Sequence, residues 1–171
     1  MSLTTIKTFG KLTNEEQKAI TKMGLFLSSY ENRLDTKGRI SVPAAFRSSL
    51  TDEKFSGVVL FRSFTHNCIE GMSMSRMEKI ASATDDMGIF DNELDDLSAM
   101  VFADARPLNF DVTGRIVIPT DLLKHANIKD TALFVGRGNS FQIWNPSDFA
   151  KVQETSLNNL KKIRPLIKIN K

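Results

Sequence analysis

The chain has 171 residues, of which 41% are hydrophobic and 25% are charged, and its formal net charge is +3. These fractions are typical of a folded globular protein and exclude a disordered chain. The single cysteine, Cys68, excludes an internal disulfide framework and favours a reducing, cytoplasmic compartment. No run of about 18 apolar residues predicts a membrane span, and the N-terminus lacks the apolar core of a secretory signal.

Charged residues are unevenly distributed along the chain. Residues 75 to 104 contain eight acidic and two basic side chains, whereas residues 151 to 171 contain six basic side chains and one acidic side chain. Residues 23 to 50 are also positive, with four basic and two acidic side chains. Segregated charge can steer a polyanion to one surface. Charged runs are more often solvated faces, however, so charge alone leaves nucleic-acid binding open.

The N-terminal segment, residues 1 to 22, is expected to be a peripheral extension. Thr13 and Glu16 form a capping-box pattern ahead of several apolar residues, which predicts a short helix. Residues 23 to 26 resemble a natural start. Whether residues 1 to 22 belong to the natural protein therefore stays open.

A nine-residue stretch occurs twice, with five identical positions. The copies read Asp35-Thr36-Lys37-Gly38-Arg39-Ile40-Ser41-Val42-Pro43 and Asp111-Val112-Thr113-Gly114-Arg115-Ile116-Val117-Ile118-Pro119. Asp suits the first position of a type I turn and Gly suits the fourth, which predicts that Asp35, Gly38, Asp111 and Gly114 shape two tight turns. The chain is therefore a duplication.

Each copy continues from its turn into a short strand. Ile40 and Val42 share one face of the first strand by period-two alternation, which leaves Arg39 on the polar face. Arg115 occupies the equivalent position in the second copy. Each proline is expected at the first position of a short helix.

Each half is predicted to have the order strand, strand, helix, strand, strand, helix. The first half has strands at residues 25 to 34, 39 to 42 and 58 to 61, and helices opened by Pro43, at residues 74 to 83 and at residues 91 to 103 with Asp91 as the cap. The second half has strands at residues 106 to 110 and 115 to 118, a helix opened by Pro119, a hairpin of residues 132 to 135 with 141 to 144, and a last helix capped by Asn145. The last helix is expected to bury a stripe of Phe149, Val152, Leu157 and Leu160.

The paired Asp-x-x-Gly-Arg-Ile-x-[Val/Ile]-Pro stretches resemble the signature of the MraZ family, bacterial transcriptional regulators within the AbrB-like (SpoVT-AbrB) superfamily. The resemblance covers about residues 23 to 160. It implies an α+β fold in which two tandem AbrB-like repeats form a swapped-hairpin, double-split β-barrel with peripheral helices. It also implies a closed ring of subunits that binds direct repeats in the promoter of the bacterial division and cell-wall gene cluster.

On this basis the chain is expected to divide into four parts. Residues 1 to 22 form the extension, and residues 23 to 104 form the first repeat with two following helices. Residues 105 to 160 form the second repeat with the final helix, and residues 161 to 171 form a basic tail.

The expected DNA contacts are Arg33, Lys37, Arg39 and Arg115. Arginine on an exposed strand can meet phosphates or guanine edges. Alternatively, each turn arginine pairs with the aspartate of its own repeat and only stabilises the hairpin, and both roles are compatible if the aspartate orients the arginine.

The two copies differ in charge. The first copy has Arg33, Lys37 and Arg47, and at the equivalent positions the second copy has Asn109, Thr113 and Leu123. Because phosphate contacts dominate affinity, the first repeat is predicted to supply most of the DNA binding.

The remaining candidate sites favour structural roles. His66 and Cys68 lack enough soft partners for a zinc site, the segment at residues 136 to 138 favours a hairpin turn over a phosphate loop, and Trp144 and Cys68 are expected in the core. No nucleophile, base and orienting group can be placed together. The sequence therefore predicts no enzyme, metal, cofactor or small-molecule substrate.

The leading hypothesis is a sequence-specific repressor that binds double-stranded promoter DNA as a ring homo-oligomer, in the cytoplasm and associated with the nucleoid, without a membrane partner. The alternative is an oligomeric protein-interaction module without direct DNA binding. A hydrolase or transferase with an unrecognised site is a weaker third hypothesis.

Overall fold

A computed structural model describes residues 24–86 and 92–162. The predictions for residues 1 to 22, for the cap at Asp91 and for the tail beyond residue 162 lie outside these ranges. Within them, no helix is long and apolar enough to cross a membrane.

The described chain contains eight strands and five helices. In order they are β1 Ser29–Arg33, β2 Arg39–Ser41, α1 Ala44–Ser48, β3 Gly57–Arg62, β4 Ile69–Met72, α2 Met74–Asp86, α3 Asn92–Asp104, β5 Arg106–Asn109, β6 Arg115–Val117, α4 Thr120–His125, β7 Thr131–Gly136, β8 Phe141–Trp144 and α5 Pro146–Lys162. The predicted order of two strands, a helix, two strands and a helix is confirmed in both halves, and α3 lies where the helix of residues 91 to 103 was predicted. Strand β4 is the fourth strand of the first half, whose bounds the sequence pattern did not predict.

The strands form two sheets in which the halves of the chain are interleaved. The larger sheet has the order β1-β7-β8-β4-β3-β5, and β2 pairs with β6 in a two-stranded sheet. First-half β1 pairs with second-half β7, and second-half β5 pairs with first-half β3. All pairings between described strands are antiparallel, and they do not join into one closed barrel. The fold is therefore a mixed α/β fold with antiparallel sheets and exchanged strands.

The main core lies between the two sheets and draws on both repeats. Phe46 of α1 is at its centre, with its ring centroid 5.3 Å from those of Phe26 and Phe141 and 5.4 Å from that of Tyr30. Full burial of a side chain of this size stabilises the fold by roughly 1.5–3 kcal/mol. Because the core residues come from both halves, the two repeats share one folding unit.

A second, smaller core lies under the helices α2 and α3. Strand β3 contributes to both cores, since Val58 and Leu60 face the main core and Val59 and Phe61 face the smaller one. A strand that is buried on both faces has a continuous apolar sequence instead of an alternating one. Residues 57 to 61 of β3 are all buried and form such a run.

The prediction of a buried stripe along the last helix is wrong for its second half. Phe149 and Val152 are half-buried, and Phe149 packs edge-on against Trp144. Leu157 and Leu160 are 53% and 64% exposed, and all side chains from residue 153 to residue 160 are exposed. Helical periodicity shows which residues share a face, but only tertiary packing decides whether that face is covered.

Smaller local predictions have mixed outcomes. Pro43 and Pro119 are N-caps with extended ψ values of 137° and 142°, so each helix begins one residue later than predicted. Asn145 caps α5 as predicted, because its Oδ1 accepts a hydrogen bond from the backbone N–H of Ser147 at 2.9 Å. Cys68 and Trp144 lie in the interior as predicted.

Candidate nucleic-acid interface

The first turn is organised by the side chain of Asp35. Its Oδ1 accepts hydrogen bonds from the backbone N–H groups of Lys37 and Arg39 at 2.9 and 2.8 Å, and its Oδ2 accepts one from Arg39 Nε at 2.6 Å. Gly38 adopts a φ of 77°, which strains any residue with a Cβ atom. The backbone and side-chain hydrogen bonds from Arg39 hold the pKa of Asp35 below its ordinary value.

The second turn repeats this geometry with one additional hydrogen bond. Asp111 Oδ1 accepts from the backbone N–H groups of Thr113 and Arg115 at 2.8 and 3.0 Å, and Oδ2 accepts from Arg115 Nε at 2.8 Å. The Thr113 hydroxyl also donates to Asp111 Oδ1, at 2.7 Å. The backbone N–H of Arg115 and the Thr113 hydroxyl lower the pKa of Asp111 below the ordinary carboxyl range. Both aspartates therefore stay ionised at neutral pH.

Strands β2 and β6 form a short ribbon that joins the two turns. Ile40 lies opposite Ile116, and both side chains are buried in the main core. Alternation places Arg39, Ser41, Arg115 and Val117 together on the outer face.

The ribbon continues one residue beyond each strand, because the Val42 N–H donates to the Gly114 carbonyl and the Ile118 N–H donates to the Gly38 carbonyl. Because the pairing is antiparallel, the turns lie at opposite ends of the ribbon. Gly38 and Val42, which lies opposite Gly114, are four positions apart along the strand, which corresponds to about 13 Å in an extended strand.

Each of the two turn arginines is held by an ion pair at Nε only. Their side chains are 38% and 36% exposed, and each pairs with its aspartate through Nε. In the described part of the chain, the terminal Nη groups of Arg39 and Arg115 have no recorded hydrogen-bond partner. The structure thus contains the Asp–Arg pairs of the alternative interpretation, and each pair uses only the Nε donor of its arginine.

The other two expected contacts lie in the first turn and at the end of β1. Lys37 is exposed at its tip, and Arg33 is exposed at the end of β1, on the same side of the strand as Glu31. Strand β1 pairs with β7, so Arg33 lies opposite Thr131 of the second repeat. The structure therefore places Lys37 and Arg39 at one end of the ribbon and Arg115 toward the other end. The antiparallel bridge between Leu34 and Ile40 aligns Arg33 with Ser41, whose partner in the ribbon is Arg115.

Arg47 is a basic residue near the ribbon that was not among the expected contacts. It belongs to α1 of the first repeat but packs over Gly114 in the second turn. A Cβ atom at Gly114 would lie only 2.5 Å from Arg47 Nη1. Sequence comparison assigned this residue to the first copy. Only the strand exchange shows that it lies at the second turn.

The remaining candidate sites are a metal-binding cluster, the Cys68 thiol and a surface cleft. No cluster of three His, Cys, Asp or Glu side chains is present among the described residues. Burial raises the pKa of the Cys68 thiol to about 12, which keeps it protonated at neutral pH. A cleft of about 570 Å³ is lined partly by Arg62, Phe64, Met100, Asp104 and His125. Its Arg62 and Asp104 form an ion pair.

The fold and the paired turns define a class of protein built from two exchanged copies of a turn, strand and helix, with a shared arginine-bearing β-ribbon. The family model described as "MraZ protein, putative antitoxin-like" matches residues 25–97 and 101–165. The chain belongs to the MraZ family, and the resemblance seen in the repeated motif is confirmed.

Relatives support the same assignment. A protein of Pelagibacter ubique (strain HTCC1062) named "Transcriptional regulator MraZ" is 45% identical over 127 residues, which are 74% of this chain and 82% of the relative. A protein of the same name from Rickettsia peacockii (strain Rustic) is 43% identical over 129 residues, which are 75% of this chain and 87% of the relative.

Proposed function

We propose that this protein is a sequence-specific DNA-binding transcriptional regulator that represses the bacterial division and cell-wall gene cluster. The names of its relatives support a role in transcription regulation. The proposed contacts are Arg33, Lys37, Arg39 and Arg115.

The observation that carries the proposal is the exposed face of the β2–β6 ribbon. The major groove of B-DNA is about 12 Å wide and admits a two-stranded ribbon. The outer face of this ribbon presents Arg39 and Arg115, while Ile40 and Ile116 anchor its inner face in the core. The ribbon is therefore a rigid support for base-edge and phosphate contacts.

The Asp–Arg pairs fit this role. An Arg held through Nε has a restricted side-chain conformation, so less entropy is lost when its Nη groups bind DNA. Asp35 and Asp111 act in the proposal as orienting residues for the two arginines. The turn residues Gly38 and Gly114 supply the backbone conformation that brings each aspartate back to its arginine.

The proposal includes a ring homo-oligomer. Linked binding sites on one DNA molecule multiply affinity when their geometry matches the DNA repeats. Leu157 and Leu160 on α5, and Phe64 and Met100 near the acidic α3, are large apolar side chains exposed in the single chain. They are candidates for contacts between copies, since the end of α5 is basic and the region around α3 is acidic.

Other features of the proposal concern architecture and location. Exchange of β1, β5 and the β2–β6 pair between repeats supports a swapped-hairpin barrel within the assembly. The repeats are proposed to span residues 23 to 104 and 105 to 160, preceded by the extension and followed by the basic tail. The protein is proposed to act in the cytoplasm at the nucleoid, without enzymatic activity.

The test measures binding of the full chain to DNA from upstream of its own gene cluster across a series of salt concentrations. Wild-type affinity is expected to fall steeply with salt, since each neutralised phosphate contributes a slope of about −0.9. The double variant Arg39→Ala, Arg115→Ala is expected to lose specific binding and retain its mass in solution. A control, Arg76→Ala with Lys79→Ala, removes two exposed charges from α2 and is expected to bind normally.

The Asp–Arg pairs also favour a second candidate, an oligomeric protein-interaction module in which these arginines only stabilise hairpins. That function predicts that the affinity of the wild type for DNA has a near-zero slope against salt concentration. It also predicts that the double arginine variant loses its oligomeric state. Measuring mass and DNA binding on the same samples separates the two functions.

A further inference from the structure

We propose that Arg47, carried by the first repeat, is a DNA-phosphate contact of the second turn. This inference rests on the proposed DNA-binding function and assigns one further residue to that surface.

The position of Arg47 is determined by contacts on both sides. Its Nε donates to the Val42 carbonyl at 3.1 Å. The Val42 N–H in turn donates to the Gly114 carbonyl at 3.1 Å, so the same residue links Arg47 to the second turn. The guanidinium and Cδ of Arg47 occupy the space above Gly114, where a side chain would have to displace them.

The equivalent position in the second repeat provides a comparison within the same chain. Leu123 corresponds to Arg47, and it approaches Gly38 of the first turn with its Cδ1 3.9 Å from the site of a Cβ atom there. The helix of each repeat therefore covers the turn of the other repeat. Leu123 is buried in the main core and covers the first turn with an apolar side chain, so covering a turn of this geometry does not in itself require a guanidinium.

Charge gives Arg47 its proposed role. At each turn one arginine is paired with one aspartate, so the pair adds no net charge. The first turn has Lys37 as an additional cation, whereas the second turn has Thr113 there. Arg47 supplies the additional cation at the second turn, and among the described residues it forms no salt bridge.

Lys37 and Arg47, two of the basic residues that differ between the copies, thus lie at opposite ends of the ribbon. The second copy lacks a basic residue at its turn tip, and the first copy carries an arginine in the helix that covers that turn. Each end of the ribbon then has one Asp–Arg pair and one further positive charge.

The decisive variant is Arg47→Leu, because it copies the residue that covers the first turn. It is expected to keep the thermal midpoint close to that of the wild type and to reduce affinity for promoter DNA by about 3–10-fold. The slope of log affinity against log salt is expected to become shallower by about 1. Arg47→Lys retains the charge, and its salt slope is expected to match the wild type.

A gain of function and a coupling measurement complete the test. Thr113→Lys adds a cation to the exposed tip of the second turn, where the first turn has Lys37, and is expected to steepen the salt slope by about 1. Arg47→Leu is expected to be less than additive with Arg115→Ala and additive with Arg39→Ala, because coupling is expected between neighbouring groups.

Wild-type affinity and salt slope in a folded Arg47→Leu protein would overturn the inference. Should that variant unfold, Arg47→Gln takes its place, because it removes the charge and keeps a polar side chain: a salt slope shallower by about 1 supports the charge contact, and a wild-type slope contradicts it. Failure of the wild type to bind DNA is a different result, and it refutes the proposed function itself.

Discussion

The two turns of the ribbon have the same backbone and different chemistry. Each has an aspartate that accepts two backbone N–H groups and one arginine Nε, and each has a glycine with a φ near 77°. Around this frame, Lys37 and Leu123 belong to the first turn, and Thr113 and Arg47 belong to the second. The shared turn geometry supports the fold, and under the proposed function the residues around it adjust DNA binding separately at each end.

The largest effect is expected from the residues that anchor the ribbon. Ile40→Ala and Ile116→Ala each remove a side chain that is 1% exposed, and each is expected to lower the free energy of unfolding by about 2–5 kcal/mol. The two losses should be similar, because the residues lie opposite each other in the ribbon. Denaturant unfolding measures both. A difference of several kcal/mol between the two unfolding free energies would contradict the structural equivalence of the two halves of the ribbon.

The turn glycines should separate stability from binding. Gly38→Ala and Gly114→Ala each place a Cβ atom at positive φ, which destabilises the fold by about 1–2 kcal/mol. Only Gly114→Ala pushes against Arg47, whose flexible end can move away. We therefore expect similar unfolding free energies and weaker DNA binding for Gly114→Ala. Equal DNA affinities for the two variants would contradict a binding role for Arg47.

The tips of the turns test the charge difference directly. Lys37→Ala is expected to weaken promoter binding by about 3–10-fold and to reduce the salt slope by about 1, because it removes one proposed phosphate contact. Thr113→Ala removes no charge and should leave the slope unchanged. Titration of DNA at several salt concentrations measures both, and equal losses would refute the asymmetry.

The smallest effect concerns acid stability. The folded-state pKa values of Asp35 and Asp111 are lowered, so their contribution to stability is fully present above about pH 4 and is lost as pH falls further. Thr113→Val removes the hydroxyl bond to Asp111 and raises its folded pKa. Its stability deficit should therefore be present at pH 7 and shrink towards pH 2. A deficit that is unchanged across this range would show that the hydroxyl acts only through packing.

Local features of the fold were predictable because they depend on neighbouring residues. Asp and Gly at fixed spacing indicate the turns, alternation places Ile40 on the buried face, and Asn145 caps the helix that follows it. The exposure of Leu157 and Leu160 could not be predicted in the same way. Helical spacing aligns them with Phe149, but no other part of the described chain covers them.

For the candidate site, the sequence alone identifies Arg39 and Arg115 as equivalent and shows that the first copy has more positive charge. It does not show that Asp35 and Asp111 hold these arginines through Nε, since an ion pair and an open arginine have the same residue pattern. That distinction depends on side-chain geometry at distances below 3 Å.

By itself the sequence determined the duplication, the two turns, the order of elements and the membership of the MraZ family. The tertiary structure decided which turn each basic residue serves. Arg47 is eight residues after Arg39 in the chain, but β2 pairs with β6 and carries the first repeat's helix over the second repeat's turn. Pairing between distant strands is a non-local interaction, and no local pattern around residue 47 encodes its partner.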